Sequence, residues 1–139
     1  MYKLTFIFVF SIIFSSNANL YKKVDNLQEK NRFDDALNLA IENFQKEENQ
    51  SDFELAWRIA RGYFDLADQT DDIDIKKENI NNALPYSLNA LSLNPNSSKA
   101  NHWYAVIIGQ KGLLDGTKQK ILNSYEVKKY CLKAIEIDP

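Results

Sequence analysis

The sequence has few of the residues that cross-link a fold or hold a metal. Cys131 is the only cysteine and His102 the only histidine among 139 residues. One cysteine excludes an intrachain disulfide and a zinc site built on a cysteine cluster. One histidine cannot by itself form a His-based zinc site. We therefore expect neither a metal nor a cofactor.

Glycine and proline are also scarce, at four and three residues. A sheet-rich protein needs these residues at its many turns, so their scarcity favours an all-α fold. At 45% hydrophobic residues the chain has enough apolar side chains for the core of one domain.

The chain has no excess of basic residues and no catalytic motif. Its formal net charge is −2, which argues against a nucleic-acid partner, because such surfaces are clearly basic. No pair of carboxylates stands out as acid and base, and the segment 116–118 lacks the upstream glycine spacing of a phosphate-binding loop. We expect a protein that is not an enzyme.

A decapeptide that occurs twice is the most informative feature present. The first copy is YSLNALSLNP, at 86–95, and the second is YCLKAIEIDP, at 130–139. Tyrosine, leucine, alanine and proline recur at matching positions, and the remaining apolar positions are all aliphatic. Each copy is typical of a helix end, with an apolar stripe followed by a proline that prevents continuation.

Apolar residues at helical spacing predict six helices. The predicted turns are at 31–32, 46–50, 69–72, 94–98 and 112–116, and Ser51-Asp52 is a capping pair for the third helix. Pro85 lies inside the fourth helical segment, where we expect it to kink the helix or divide it in two.

Six helices paired as hairpins predict an α-α superhelix of about three tetratricopeptide-like repeats. The repeats cover about 20–49, 52–95 and 98–139, within a domain at 19–139. Pro95 and Pro139 are 44 residues apart, whereas the usual repeat has about 34. We therefore expect elongated helices.

Residues 1–18 resemble a secretory signal, with a short basic start, an apolar run at 4–14 and small residues before Asn19. We expect export with cleavage after Ala18. The alternative is a short hydrophobic anchor that leaves the domain in the cytoplasm.

Several strings together resemble the regulator of microtubule dynamics family. They are LAWRIAR at 55–61, ANHWYAV at 100–106, GTKQKILNSY at 116–125 and the ending KAIEIDP. The resemblance covers roughly 53–139. It implies a tetratricopeptide protein associated with microtubules, spindle poles or membranes. Family members usually continue into a further helical section, so we expect a fragment or shortened member whose C-terminal cap is missing.

Seven residues are candidates for binding a partner. Arg58 and Arg61 share a helical face, where they form either solvated ion pairs or two guanidinium forks that grip a partner carboxylate. Lys118 and Lys120 stand at a helix start, where cations gain nothing from the dipole, and this indicates a use such as anion binding. The other candidates are Trp57, His102 and Trp103, for which packing inside the stack is the alternative role.

These observations favour a non-catalytic adaptor that binds a protein partner in a concave groove lined by the first helix of each repeat. The resemblance implies that this partner is microtubule-associated. The alternative is a carrier of an apolar ligand or lipid, enclosed by the aromatic residues Trp57, Tyr63, Trp103 and Tyr104. A closed pocket would favour the carrier.

Overall fold

The computed structural model describes residues 17–139. Within this range there are six α-helices and one short 3₁₀ helix, and there is no strand. The first helix, α1, covers 17–29 of the described residues. It is followed by α2 (Phe33–Phe44), the 3₁₀ turn Glu47–Asn49, α3 (Phe53–Asp68), α4 (Ile73–Leu93), α5 (Ser98–Asp115) and α6 (Thr117–Ile137).

Local side-chain hydrogen bonds fix where the helices begin. The carboxylate of Asp52 accepts hydrogen bonds from the first-turn amides of α3, and Asp72 does the same for α4. Ser97 accepts from the amide of Ala100 in α5. These N-caps satisfy amides that have no partner inside the helix. Asn31 adopts the left-handed conformation, with φ 57°, in the turn between α1 and α2.

The helices form antiparallel hairpins that pack side by side, which confirms the predicted all-α fold of helical hairpins. α3 pairs with α4 and α5 pairs with α6, while α2 packs on α3 and α4 packs on α5. Each predicted repeat range contains two of the helices, and α4 and α6 have 21 residues each. The elongated helices expected from the 44-residue spacing are therefore present.

Two predicted breaks differ from the structure. The fourth helix runs without interruption through Pro85, so of the two expected effects the division is wrong, and the alternative, a kink, stays a prediction. Pro85 is exposed, and its ring is accommodated on the solvent side of a long helix held by its neighbours. The break expected at 112–116 is confined to Gly116, whose φ is 104°. Gly112 lies inside α5.

Three groups of buried apolar residues hold the hairpins together. The first joins α1, α2 and α3 around Val24, Leu37 and Ile59. The second joins α3, α4 and α5 through Trp57 and three alanines. The third joins the same helices farther along, around Ile80 and Ile107. Each hairpin thus buries its apolar surface against the next one, as repeat stacks do.

The predicted secretory signal at 1–18 lies almost entirely outside the described residues. Its predicted cleavage position, after Ala18, falls in the described part of α1. Export and its alternative, a hydrophobic anchor, both stay predictions. Among the helices of residues 17–139, none combines the length and the apolar character that a membrane span requires.

Candidate functional site

A charged cluster lies where α1 meets α3. Tyr21, Asp25 and Gln28 recur along one side of α1 at i, i+4 and i+7, a spacing that aligns side chains on a helix. They contact Arg58, Arg61 and Asp65, which share one side of α3. The result is a set of polar contacts between two helices that are more than 30 residues apart in sequence.

Arg58 is the most buried member of the cluster, with 8% of its surface exposed. It donates from Nε and Nη2 to both carboxylate oxygens of Asp25, at 3.0 and 2.7 Å. Its Nη1 donates to the main-chain oxygen and the carboxylate of Glu54. Its guanidinium also lies over the rings of Trp57 and Tyr21, at 4.2 and 4.8 Å. These internal contacts use most of the donors of Arg58.

Arg61 is less fully engaged than Arg58. Its Nη2 donates to Asp25 at 2.7 Å, and its guanidinium lies 5.1 Å from the centre of the Trp57 ring. Its Nε is buried and has no hydrogen-bond partner among residues 17–139. A guanidinium presents five N–H donors. The buried Nε is out of reach of an outside group, but the side chain is 17% exposed and keeps Nη donors for a carboxylate that approaches from outside.

The cluster changes the acidity of its members. Burial by itself would raise the pKa of Asp25, but hydrogen bonds from Arg58 and Arg61 and their positive charges outweigh it and hold that pKa below its ordinary value. Burial raises the pKa of Asp65 to about 6, with Arg61 opposing the shift and Asp68 adding to it. Burial and the hydrogen bond to Asp52 raise the pKa of Tyr21.

A cavity of about 830 Å³ adjoins this cluster at the N-terminal end of α3. Tyr21 from α1 forms part of its wall, and its hydroxyl donates to Asp52 at 2.6 Å. Phe53, Glu54 and Arg58 form the α3 side. The cavity therefore combines apolar surface with a carboxylate and a guanidinium, a composition common in binding sites.

Trp57 and Trp103 meet in the same group of packed residues between α3 and α5. Trp57 is 5% exposed, and its indole Nε1 donates to Glu54 at 2.8 Å. Trp103 is partly buried against Phe64, with the ring centres 5.8 Å apart. His102 is exposed beside Trp103. Partial burial and the charge of Lys99 lower its pKa.

Lys118 and Lys120 are exposed at the start of α6, at the other end of α5 from His102. At a helix rise of about 1.5 Å per residue, His102 is roughly 20 Å away from the C-terminal end of α5, where α6 begins. The structure thus brings four of the seven candidates together at the junction of α3 and α5, namely Trp57, Arg58, Arg61 and Trp103. His102 lies beside Trp103 but lines a cavity between α5 and α6, and the two lysines lie in another region. A partner-binding role for any of the seven stays a prediction.

The residues that the sequence alone did not identify are mainly on α1. Asp25 and Tyr21 complete the cluster, and Asp52 and Phe53 complete the cavity. The sequence contained a signal for these residues, because Tyr21, Asp25 and Gln28 form a polar stripe at helical spacing beside the apolar residues of α1. Only the docking of α1 on α3 shows that this stripe faces Arg58 and Arg61.

Two further expectations concern ligands. Residues 17–139 place no three histidine, cysteine or acidic side chains in a metal-binding group. The aromatic residues expected to enclose an apolar ligand, Trp57, Tyr63, Trp103 and Tyr104, line neither the 830 Å³ cavity nor the smaller cavities of about 550 and 270 Å³. They pack against other side chains instead.

Comparison with known proteins assigns this arrangement to a family. A sequence model described as regulator of microtubule dynamics protein 1-3 matches residues 20–139. The chain belongs to the regulator of microtubule dynamics family. The matched range contains all seven candidate residues and all six residues of the charged cluster. The charged cluster and nearly all of the described fold therefore lie within the matched range.

Individual relatives carry the same name. Over 90 residues the chain is 41% identical to regulator of microtubule dynamics protein 1 of Mus musculus, an alignment that covers 63% of this chain and 29% of that protein. Over 89 residues it is 40% identical to regulator of microtubule dynamics protein 1 of Bos taurus, an alignment that covers 63% of this chain and 28% of that protein. Over 121 residues it is 30% identical to the Bos taurus protein 2, covering 86% of this chain and 29% of that protein. The chain spans less than a third of the length of these relatives.

Proposed function

We propose that this chain is a non-catalytic, tetratricopeptide-like adaptor that binds an acidic protein segment along the concave side of its helical stack and thereby takes part in the regulation of microtubules. Membership of a family named for regulation, and not for a reaction, supports the non-catalytic part. The groove would be lined by the first helix of each hairpin, α1, α3 and α5.

The partly unsatisfied guanidinium of Arg61 is the observation that carries this proposal. Arg58 is held by Asp25 and Glu54 and serves to fix α1 on α3. Arg61 shares Asp25 with it, retains a buried Nε without a protein partner, and lies over Trp57. A carboxylate that reached the exposed side of Arg61 would accept from its remaining Nη donors in a site with restricted access to water, where charge-assisted hydrogen bonds are strong.

Co-sedimentation of the chain with stabilised microtubules tests the proposal. The unmodified chain should pellet with the polymer. Arg61→Gln should weaken binding about tenfold, because one hydrogen bond between charged groups contributes about 1.5 kcal/mol or more. Circular dichroism of the variant should show unchanged helical content.

Arg32→Gln is the matched control. Arg32 is an exposed arginine whose ion pair is with the neighbouring Asp35, so the same chemical change there should alter binding less than about twofold. Absence of the unmodified chain from the pellet would overturn the microtubule part of the proposal. Equal effects of the two variants would overturn the role of Arg61.

The proposed role requires the domain to face the cytosol. Export directed by residues 1–18 would separate the domain from microtubules. Terminal sequencing of the protein from its native host distinguishes the two cases. An N-terminus at Asn19 would contradict the proposed function, and a retained segment at 1–14 would agree with it.

A second candidate function is binding of an apolar ligand in the 830 Å³ cavity. Its volume lies within the range of about 300–1,000 Å³ that is usual for small-molecule sites, and Phe53 and Tyr21 supply aromatic surface. A fluorescent fatty acid such as parinaric acid should bind, and Phe53→Ala should weaken binding more than Leu113→Ala, which removes an exposed leucine on α5. Equal binding to both variants would reject this candidate.

A further inference from the structure

Arg61 and Asp65 carry opposite charges and lie four residues apart on α3. Side chains at this spacing are neighbours on a helix, and an arginine and an aspartate placed there attract each other. Among residues 17–139, however, Arg61 forms its ion pair with Asp25 of α1, at 2.7 Å, and none with Asp65. Another contact must therefore keep the two side chains of α3 apart.

Both groups would gain from the pair that they do not form. The Nε of Arg61 is buried and has no hydrogen-bond partner in the part of the chain that the structure describes. Burial disfavours the charge of Asp65 and raises its pKa to about 6, although Arg61 opposes this shift. A buried donor without an acceptor and a buried carboxylate each cost free energy. Such local conflicts are typical of functional positions.

Gln28 of α1 is the residue that holds Asp65. Its Nε2 donates a hydrogen bond to Oδ2 of Asp65. Three residues earlier, on the same side of α1, Asp25 accepts a hydrogen bond from Arg61. One side of α1 thus takes the guanidinium with a carboxylate and the carboxylate with an amide. α1 thereby separates two groups of α3 that would otherwise meet.

The charges around Asp65 show which cation it would reach if Gln28 released it. Arg61 is the basic residue whose charge affects the pKa of Asp65, and Asp68 is the acidic one. Arg58, the other arginine of the cluster, is already held by two carboxylates. Arg61 keeps Nη donors on its exposed side and is therefore the cation that a released Asp65 would contact.

We propose that Gln28 is a positioning residue that keeps Asp65 from pairing with Arg61, and that Asp65 is an internal competitor for the carboxylate site of Arg61. This inference rests on the proposed binding of an acidic segment at Arg61 and assigns a control to that site. While Gln28 holds Asp65, Arg61 can donate to the carboxylate of a partner. When the contact is lost, Asp65 takes the same donors, and its covalent tether gives it a high effective concentration. The site is thus open to a partner only while α1 is docked on α3.

Gln28→Ala tests the positioning role without any partner. The pKa of Asp65, followed by NMR through its carboxyl carbon, should be about 6 in the unmodified chain. It should fall in the variant, because a new contact with Arg61 favours the charged carboxylate. Loss of the hydrogen bond alone would raise the pKa instead, since an amide that donates to a carboxylate also favours its charged form. A raised or unchanged pKa would overturn the proposal.

An Arg61→Gln background shows whether Arg61 causes the fall. In that background Gln28→Ala should not lower the pKa of Asp65, because the cation is absent. A fall there would mean that α1 has left α3 and exposed Asp65 to water, which would also overturn the proposal. Alanine is the best helix former, so the circular dichroism of every Gln28→Ala variant should keep the helical content of its parent.

Co-sedimentation with stabilised microtubules measures the competition. Gln28→Ala should weaken binding about fivefold. In an Asp65→Asn background the same change should weaken binding less than about twofold, because a neutral amide does not form the competing ion pair. Comparing the two backgrounds removes any direct effect of the Asp65 charge on the partner. Gln45→Ala, at an exposed glutamine after α2, is the matched control and should also alter binding less than about twofold.

The two measurements fail separately. Equal losses on Gln28→Ala in the two backgrounds would overturn the role of Asp65 as a competitor. Absence of the unmodified chain from the pellet would count against the proposed microtubule role, and the pKa of Asp65 would still decide whether Gln28 keeps Asp65 and Arg61 apart.

Discussion

Asp25 holds two arginines with one carboxylate. It accepts from Arg58 through both oxygens and from Arg61 through one. Asp65, three residues before the end of α3, has the opposite situation, because burial disfavours its charge and raises its pKa to about 6. Two aspartates at the same helix pair therefore affect stability in opposite directions as the pH changes.

Asp25→Asn should lower the free energy of unfolding at pH 7 by about 2 kcal/mol, because it removes the charged acceptor from two arginine side chains. The pKa of Asp25 is lowered in the fold, so its stabilising contribution is present above its unfolded value near 4 and is lost as the pH falls through the folded value. Urea unfolding at pH 7 and below pH 4 measures the difference. Asp34→Asn, at an exposed aspartate of α2, should cost less than about 0.5 kcal/mol.

Asp65→Asn should have the reverse effect. Because the folded pKa of Asp65 is raised, its contribution to stability is full below about pH 4 and is lost as the pH rises through about 6. The asparagine variant avoids this loss and should be more stable at pH 7 by about 1 kcal/mol, after allowance for solvent contact. The free energies of unfolding of the two proteins should become equal near pH 4. A variant that is less stable at pH 8 would show that the Gln28 contact outweighs the cost of the charge.

At the scale of the helix, α5 and α6 approach each other closely at Gly112. A Cβ atom at Gly112 would lie 3.1 Å from the Cα of Lys120, which is a main-chain atom that cannot move alone. Gly109, one turn earlier, has only Val127 at 3.5 Å. The close approach of α6 therefore requires a glycine at 112, whereas the space around Gly109 accepts a Cβ atom.

Gly112→Ala should lower the melting temperature, because α5 and α6 must separate and the loss of packing exceeds the helix-propensity gain of about 1 kcal/mol. Gly109→Ala, the matched change, should leave stability equal or raise it by about 0.5 kcal/mol. Thermal unfolding followed by circular dichroism compares the two. Similar shifts in both variants would contradict the role of Gly112 in the crossing.

The sequence was informative about features set by neighbouring residues. The capping role of Asp52 could be predicted because the hydrogen bonds that start a helix span only two or three residues. The sequence did not decide between a kink and a division at Pro85, because the contacts of α4 with α3 and α5, which accompany the continuous helix, are not local. The pairing of Asp25 with Arg58 could not be predicted, since it depends on how α1 docks on α3. The partner-binding roles of the candidate residues stay predictions.

At the scale of the whole molecule, the hairpins contact mainly their neighbours, so the cost of a change depends on its place in the stack. Ala90 is enclosed by α3 and α5, whereas Ala134, the equivalent residue in the second copy of the decapeptide, borders a cavity of about 270 Å³.

Ala90→Leu should therefore destabilise the protein by about 2 kcal/mol or more through overpacking. Ala134→Leu should cost clearly less, because the cavity beside it accepts the added atoms. The two variants carry the same substitution at equivalent positions of the second and third hairpins. Denaturant unfolding of both measures the difference in their free energies of unfolding. Equal costs would show that the third hairpin is as tightly enclosed as the second.

The two tryptophans of the chain lie together at the junction of α3 and α5. Intrinsic fluorescence is therefore an optical probe of one location, and a titration followed by emission records the opening of that junction. Ellipticity at 222 nm averages over every helix. If the terminal helices melt before the centre, the ellipticity curve will precede the emission curve, and the gap between their midpoints will measure how far unfolding departs from a two-state process.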